Sequence, residues 1–336
     1  MNWLEKILLP EKAAAQVVER SNSSGLSENF TGTNQEGILA IQENLSDFLF
    51  WGFASATIIS IVLLISITQK FEEVFDPTLH RIKKFAPFIM QSVLGLALLQ
   101  SAFFGSLFAA DVPLETVFGG TADIIQVVLG ISGAMLLFGI LPKLVGLVVV
   151  VLFIPFIATA GLHALTFATH LGEAVTLLFL GGTYQIIQSK VHVLPKFYRS
   201  LELHLHKYKF LIVRISFGIS LILTALYVNY FNGVTALNTL TESSLVTLFP
   251  FDPTFLVIGA LVIEILLGIF FIIGFEIRFS AVMYMFFLIA SIIFFQETAW
   301  SHIILIGTCI AMFTHGYDQY TIGGSILKRG NLEPIL

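Results

Sequence analysis

From residue 48 to residue 316 the chain is a succession of apolar runs of about 20 residues with short polar breaks, "LVIEILLGIFFIIGF" (261–275) being one of them. Each run is long enough to cross about 30 Å of hydrocarbon as a helix. That repetition constrains the fold more than any single motif. Composition agrees: 56% of the residues are apolar and only 12% charged, with 33 Phe and a mean hydropathy of +0.90. A soluble globule carries roughly twice that charged share, about 25%. The expected fold is all-α, in a polytopic membrane protein.

Nine spans are predicted, at roughly 48–68, 86–110, 124–142, 144–162, 171–188, 210–231, 254–274, 279–295 and 301–316. Lys and Arg fall on alternate connections: Lys70, Arg81, Lys83 and Lys84 after the first span, Lys143 after the third, and Lys190, Lys196, Arg199, Lys207 and Lys209 after the fifth. Arg278 follows the seventh, and Lys328 and Arg329 lie in the tail. The connections 111–123, 163–170, 232–253 and 296–300 have none. By the positive-inside rule this predicts an outside N-terminus and a cytoplasmic C-terminus in a cell membrane. Residues 1–46 form a polar tail lacking the pattern of a signal peptide. If that tail is outside, Asn22, Asn29 and Asn44 stand in sequons for glycosylation.

Several chemistries are excluded at this stage. With 17 Lys+Arg against 22 Asp+Glu the chain offers no basic field for nucleic acid. The single cysteine, Cys309, cannot build a disulfide or a CxxC pair within one chain. The histidines associated with spans lie at helix ends, which is the wrong place for haem ligation between facing helices. No covalent cofactor and no metal centre are expected.

The last eight spans divide into two blocks with the same order of parts. "QSVLG" (91–95) opens the first helix of one block and "RISFG" (214–218) that of the other. The second helix ends in "GILPK" (139–143) in one and "GFEIR" (274–278) in the other. A histidine, His170 or His302, begins the last helix of each. Both blocks start and end on the same side, so they are expected to be parallel repeats about an axis along the membrane normal. The second block, with "VRISFG", "VIEILLGIFFIIGFEIR" and "WSHIILIGTCIAMFTHGYDQYTIGG", resembles the DoxX family of small four-helix membrane proteins. The likeness covers about 115 residues well and the first block more loosely. It implies a four-helix membrane unit, associated in the family's namesake with a quinone-linked oxidoreductase. The expected organisation is a leading helix (47–70), a degenerate first unit (84–190), a DoxX-like second unit (207–324) and a short tail (325–336).

Charge inside such spans is costly and points to function. Arg214 lies five residues beyond Lys209, about 7–8 Å into the bilayer, and Glu264 sits near the middle of its span. A guanidinium on a neighbouring helix would hold that carboxylate ionised. Arg214 and Glu264 are therefore expected to pair, with His302 at the mouth of their polar pocket; snorkelling of Arg214 to the interface is the plainer alternative. In the first block Gln91 replaces the arginine, and Gln126 is the polar residue of its second helix. A second cluster is expected near the outer surface from Asp123, His163, His170 and Glu173, with His170 and Glu173 at i, i+3 on one face. It would suit a proton relay or a weak metal site if it is more than a solvated edge. The resemblance implies a membrane subunit of a quinone-linked electron-transfer system, with oxidoreductase subunits as partners beside the lipid bilayer. A small-solute or lipid carrier built from the two repeats, and a scaffold without chemistry, are the other readings.

Overall fold

A computed structural model describes residues 48–109, 112–180, 208–241, 253–295 and 299–325. The sequons and most of the basic stretch after the fifth predicted span lie outside the described residues. Among the described residues a helix stands at every predicted span: α1 (Phe48–Ile82), α2 (Ala86–Phe104), α4 (Ala122–Leu137), α5 (Pro142–Ala160), α6 (Ala168–Leu180), α7 (Lys209–Ala225), α9 (Pro253–Ile273), α10 (Ile277–Phe295) and α11 (Ile303–His315). Short helices α3 (Leu114–Phe118), α8 (Gly233–Thr241) and α12 (Ile322–Ser325) fill connections. Among the described residues six stretches are long and apolar enough to cross a membrane, and one of them, Pro142–Phe179, runs two predicted spans together; Ile58–Ile67 and Ala299–His315 are shorter. The chain is an all-α polytopic membrane protein.

The apolar surface faces outward, as a lipid environment demands. Ile58, Ile59, Val62, Leu63 and Ile67 of α1 are exposed, Phe103 is 81% exposed and Phe286 69%. In lipid, apolar side chains gain little by leaving one hydrocarbon surface for another, so helices associate where small residues let backbones touch and where polar groups bond across. Gly133 of α4 abuts Gly95 of α2, where a methyl group would stand 2.7 Å from the Gly95 carbonyl oxygen. Gly218 of α7 meets Gly268 of α9 in the same way, at 2.5 Å.

The two groups of helices share more than this contact. The turn after α4 has Gly139 at φ 64° and Leu141 at φ 45°, and the turn after α9 has Gly274 at φ 71° and Glu276 at φ 45°. In each, the glycine amide bonds three residues back and the next amide five back, as in Ile140 N to Met135 O at 2.7 Å and Phe275 N to Phe270 O at 2.9 Å. These are helix ends closed by a left-handed residue.

The groups interlock reciprocally. Helix α2 packs on α4 and α7 on α9, while α5 packs on α6 and α10 on α11. Between groups, α7 lies on α6 and α2 on α11. Gly172 of α6 leaves room for Ser216 of α7, and Gly307 of α11 leaves room for Val93 of α2. Each core therefore borrows from the other group: Ile304 sits among Leu94, Leu129 and Phe156, and Ala86 and Met90 sit among Phe217, Phe271 and Met312. Two bonds reinforce the α6–α7 side, Ser220 Oγ donating to the Thr166 carbonyl and Thr176 Oγ1 to the Lys209 carbonyl.

The equivalent positions differ from those expected. Gly172 and Gly307 each follow their turn glycine by 33 residues, which matches Glu173 with Thr308 and leaves His170 opposite Leu305. The two histidines are not counterparts. A side chain at Gly172 would collide with Ser216, so Gly172→Val is expected to cost about 1–3 kcal/mol through overpacking and to lower the unfolding midpoint in detergent. Gly120→Ala, in open space, is expected to leave the midpoint unchanged.

Candidate functional site

Arg214 lies buried on α7, and its guanidinium is tucked beneath Gly274. The glycine is required there twice over, by its positive φ and because a Cβ would stand 2.6 Å from Arg214 Nη1. Nη2 donates to the Tyr320 carbonyl at 2.8 Å, and Nη1 lies 3.8 Å from Asp318 Oδ1. The expected partnership with Glu264 is not formed. Gly274 lies ten residues beyond Glu264 on α9, about 15 Å along a helix, which is beyond the reach of one side chain. Glu264 Oε2 instead accepts a bond from Asn229 Nδ2 at 3.0 Å, and Asn229 belongs to a π-helical continuation of α7, Leu226–Phe231.

His302 is also separate. It precedes α11, whereas the contacts of Arg214 lie beyond the far end of that helix. Thirteen residues, about 20 Å of helix, keep His302 out of any pocket shared with Arg214. The three residues expected in one pocket thus occupy three depths.

What Arg214 organises is a polar knot around the segment 315–321. Phe210 stacks on the His315 ring at 3.5 Å, and His315 Nε2 lies 3.5 Å from Asp318 Oδ2. Asp318 Oδ1 accepts the Tyr320 amide at 2.8 Å. Thr321 Oγ1 donates to the Asp318 carbonyl at 2.7 Å and accepts from the Gly324 amide at 2.8 Å. Tyr317 donates its hydroxyl to Glu276 at 3.2 Å, its ring lies under Arg278, and its carbonyl accepts from Lys83 Nζ at 3.1 Å. Arg278 Nε donates to the Phe313 carbonyl at 3.3 Å. Lys83, Lys209, Arg214 and Arg278 thus gather at one end of the bundle, as the alternation of basic connections requires. Burial alone would push the Asp318 carboxyl up, but His315, Arg214 and the Tyr320 amide together hold it below the ordinary carboxylate range.

In the first group the corresponding polar residues, both glutamines, bond to backbone carbonyls. Gln91 Nε2 donates to the Leu136 carbonyl at 2.7 Å, and Gln126 Nε2 to the Ala102 carbonyl at 2.6 Å. Both bonds tie α2 to α4.

The second expected cluster is divided. Asp123 is exposed in the first turn of α4. His163 is buried in the 3-10 segment Gly161–Phe167, its ring 4.5 Å from that of Tyr227. His170 and Glu173 are buried on α6, and Glu173 is fully inaccessible. Its Oε1 lies 2.6 Å from Thr308 Oγ1 of α11, across the junction of the two groups. Among the described residues no three His, Cys, Asp or Glu side chains gather as a metal site.

Residues 210–297 match the family model of DoxX. Comparison with curated proteins and with solved structures gives no match. The chain is therefore a multi-pass membrane protein that carries a DoxX domain from α7 to α10, the part in which the resemblance was strongest. The match does not extend to the first group of helices.

If Asp318 is the partner of Arg214, Arg214→Gln and Asp318→Asn are expected to be non-additive, with a coupling of about 0.5–3 kcal/mol in unfolding free energy. Arg214→Gln and Glu264→Gln are expected to add within about 0.5 kcal/mol. Because the Asp318 carboxyl is held low when folded, its contribution is present above the unfolded carboxylate value, about 3.9, and is lost as pH falls through the lower folded one. The acid-unfolding profile of Asp318→Asn is expected to lose that segment.

Proposed function

We propose that this DoxX-containing protein is an accessory membrane subunit of a quinone-linked electron-transfer system, associating with oxidoreductase subunits and holding the quinone by its lipophilic tail. The observation that carries the reading is an apolar cleft of about 280 Å³ between α1 and the DoxX domain. Ala56, Ser60 and Leu64 line it from α1, Leu267 and Phe270 from α9, and Met283 from α10. Cofactor and ligand sites are typically apolar hollows near this size or larger, with a few polar groups to orient the ligand. Ser60 is a polar group within the cleft, and Glu264, bonded to Asn229, is three residues from Leu267 on the same helix; these are the groups we assign to the headgroup. Arg214 takes no part, since its guanidinium is committed to Asp318 and Tyr320.

Mass spectrometry of lipophilic molecules retained through purification tests this reading. Quinone is expected in the wild-type protein, at several-fold lower occupancy in Ala56→Trp and Ser60→Trp, which fill the cleft from the leading helix. Retention no greater than that of an unrelated membrane protein from the same membranes would overturn it. The reciprocal packing of α2 on α11 and α7 on α6 favours a second reading, a carrier whose two halves rock about that junction. Flux into proteoliposomes equal to that into empty liposomes would remove it.

A further inference from the structure

The junction of the two helix groups holds a carboxyl whose hydrogen bonding depends on its proton. Thr308 Oγ1 lies 2.6 Å from Glu173 Oε1 and 2.7 Å from the Ile304 carbonyl oxygen. A threonine hydroxyl has one proton to donate. Given to the Ile304 carbonyl, it leaves two acceptors, Oγ1 and an ionised Glu173, facing each other at hydrogen-bond distance. Given to Glu173, it leaves the Ile304 contact empty. Both contacts are satisfied together when Glu173 carries a proton on Oε1 and donates it to Thr308, which donates onward to Ile304. The other carboxylate oxygen, Oε2, is buried without a hydrogen-bond partner, an arrangement tolerable for a neutral acid and costly for an anion.

Among the described residues no cation pairs with that carboxyl. Among the elements packed on α6, α2 carries no titratable residue, and α5 carries Lys143 at its opposite end. Helix α7 brings Lys209 and Arg214, near the polar knot at the basic end, and α11 brings Cys309 and His315. The segment 161–167 brings His163. Nearest along α6 itself is His170, one turn before Glu173. Its ring is buried, and the Phe167 carbonyl stands toward it without either nitrogen completing a hydrogen bond. The side away from the basic end is closed by Phe108, whose ring lies 4.5 Å from that of His170 and stacks on Phe153 at 5.0 Å. Phe108 holds φ at 64°, a left-handed conformation rare for a bulky residue, and its amide donates to Ser101 Oγ at 3.0 Å.

We propose that Glu173 is a proton-binding site buried at the junction of the two helix groups, reached through His170 and closed by Phe108. The inference goes beyond the quinone-linked reading and stands independently of it. In the packed state the Glu173 carboxyl is neutral and bonded to Thr308. Loss of its proton turns the Thr308 hydroxyl from the Ile304 carbonyl to Glu173 and leaves a buried anion whose Oε2 has no hydrogen-bond partner, so proton release favours separation of α6 from α11. When Phe108 withdraws, His170 Nδ1 or Nε2 accepts the proton from Glu173 and hands it to water.

Dicyclohexylcarbodiimide, which enters apolar sites and reacts with protonated carboxyls, tests this on the purified full chain. The carboxyl O–H adds across one C=N bond, oxygen to carbon and proton to nitrogen, and the acyl group then shifts to nitrogen without any leaving group. Peptide mapping is expected to place the label on Glu173, with a rate that falls as pH is raised. Phe108→Gly, which suits the positive φ and removes the ring, is expected to label several-fold faster. A folded protein unlabelled at Glu173 in both forms, or labelled at a rate indifferent to pH, would overturn the proposal. Infrared difference spectra between wild type and Glu173→Gln give a second readout without touching Phe108. A protonated-carboxyl stretch that disappears in the variant is expected, and its absence from the wild type counts against the site.

Discussion

Helix association without a hydrophobic drive is the constraint on which the rest of this structure depends. In hydrocarbon, backbones must be brought together by the absence of side chains or by bonds that lipid cannot replace. Gly95 with Gly133 and Gly218 with Gly268 provide the first. Gln91 and Gln126, donating to carbonyls of the facing helix, provide the second. The polar residues within the spans are for the most part this kind of fastening. The charged knot around Asp318 is its elaborated form at the basic end, where carbonyls in the last turn of α11 and just beyond it need donors and receive them from Lys83, Arg214 and Arg278.

The helices were legible because apolar run length is a local property that lipid enforces strictly. The turns "GILPK" and "GFEIR" were legible because a glycine before a short basic connection has a specific backbone use, which both turns display. The partner of Arg214 was not, although Asp318 lies within the quoted segment "THGYDQYTIGG". The arginine was matched with the carboxylate deepest in the neighbouring span, whereas depth favours a group near the same end of the bundle. Five residues from the start of α7 and three beyond the end of α11 place Arg214 and Asp318 at similar levels, and that count was available in the sequence.

The pairing of His170 with His302 failed for a related reason. Both open a helix, but the equivalence that matters is set by which residue meets the other group of helices, and that residue is a glycine in each case. Once Gly172 and Gly307 are matched, Glu173 falls opposite Thr308, and the two touch. Glu173 stands out in the sequence, but its contact with Thr308 across the junction is invisible to motif reading, because a threonine is not unusual in its own helix.

The crossed packing bears on how the chain comes into being. Helix α2 enters the membrane well before α11, yet the surface it offers is completed by that helix, and Ile304 is missing from the first core until then. The first group of helices therefore waits in the bilayer with one flank turned to lipid or to a chaperone while residues 181–302 are still being synthesised. A chain cut short before α11 leaves both cores unfinished, the first without Ile304 and the second without Cys309, Ala311 and Met312. Its early helices, correct in every local respect, would be marked for quality control by a seam that only α11 can close.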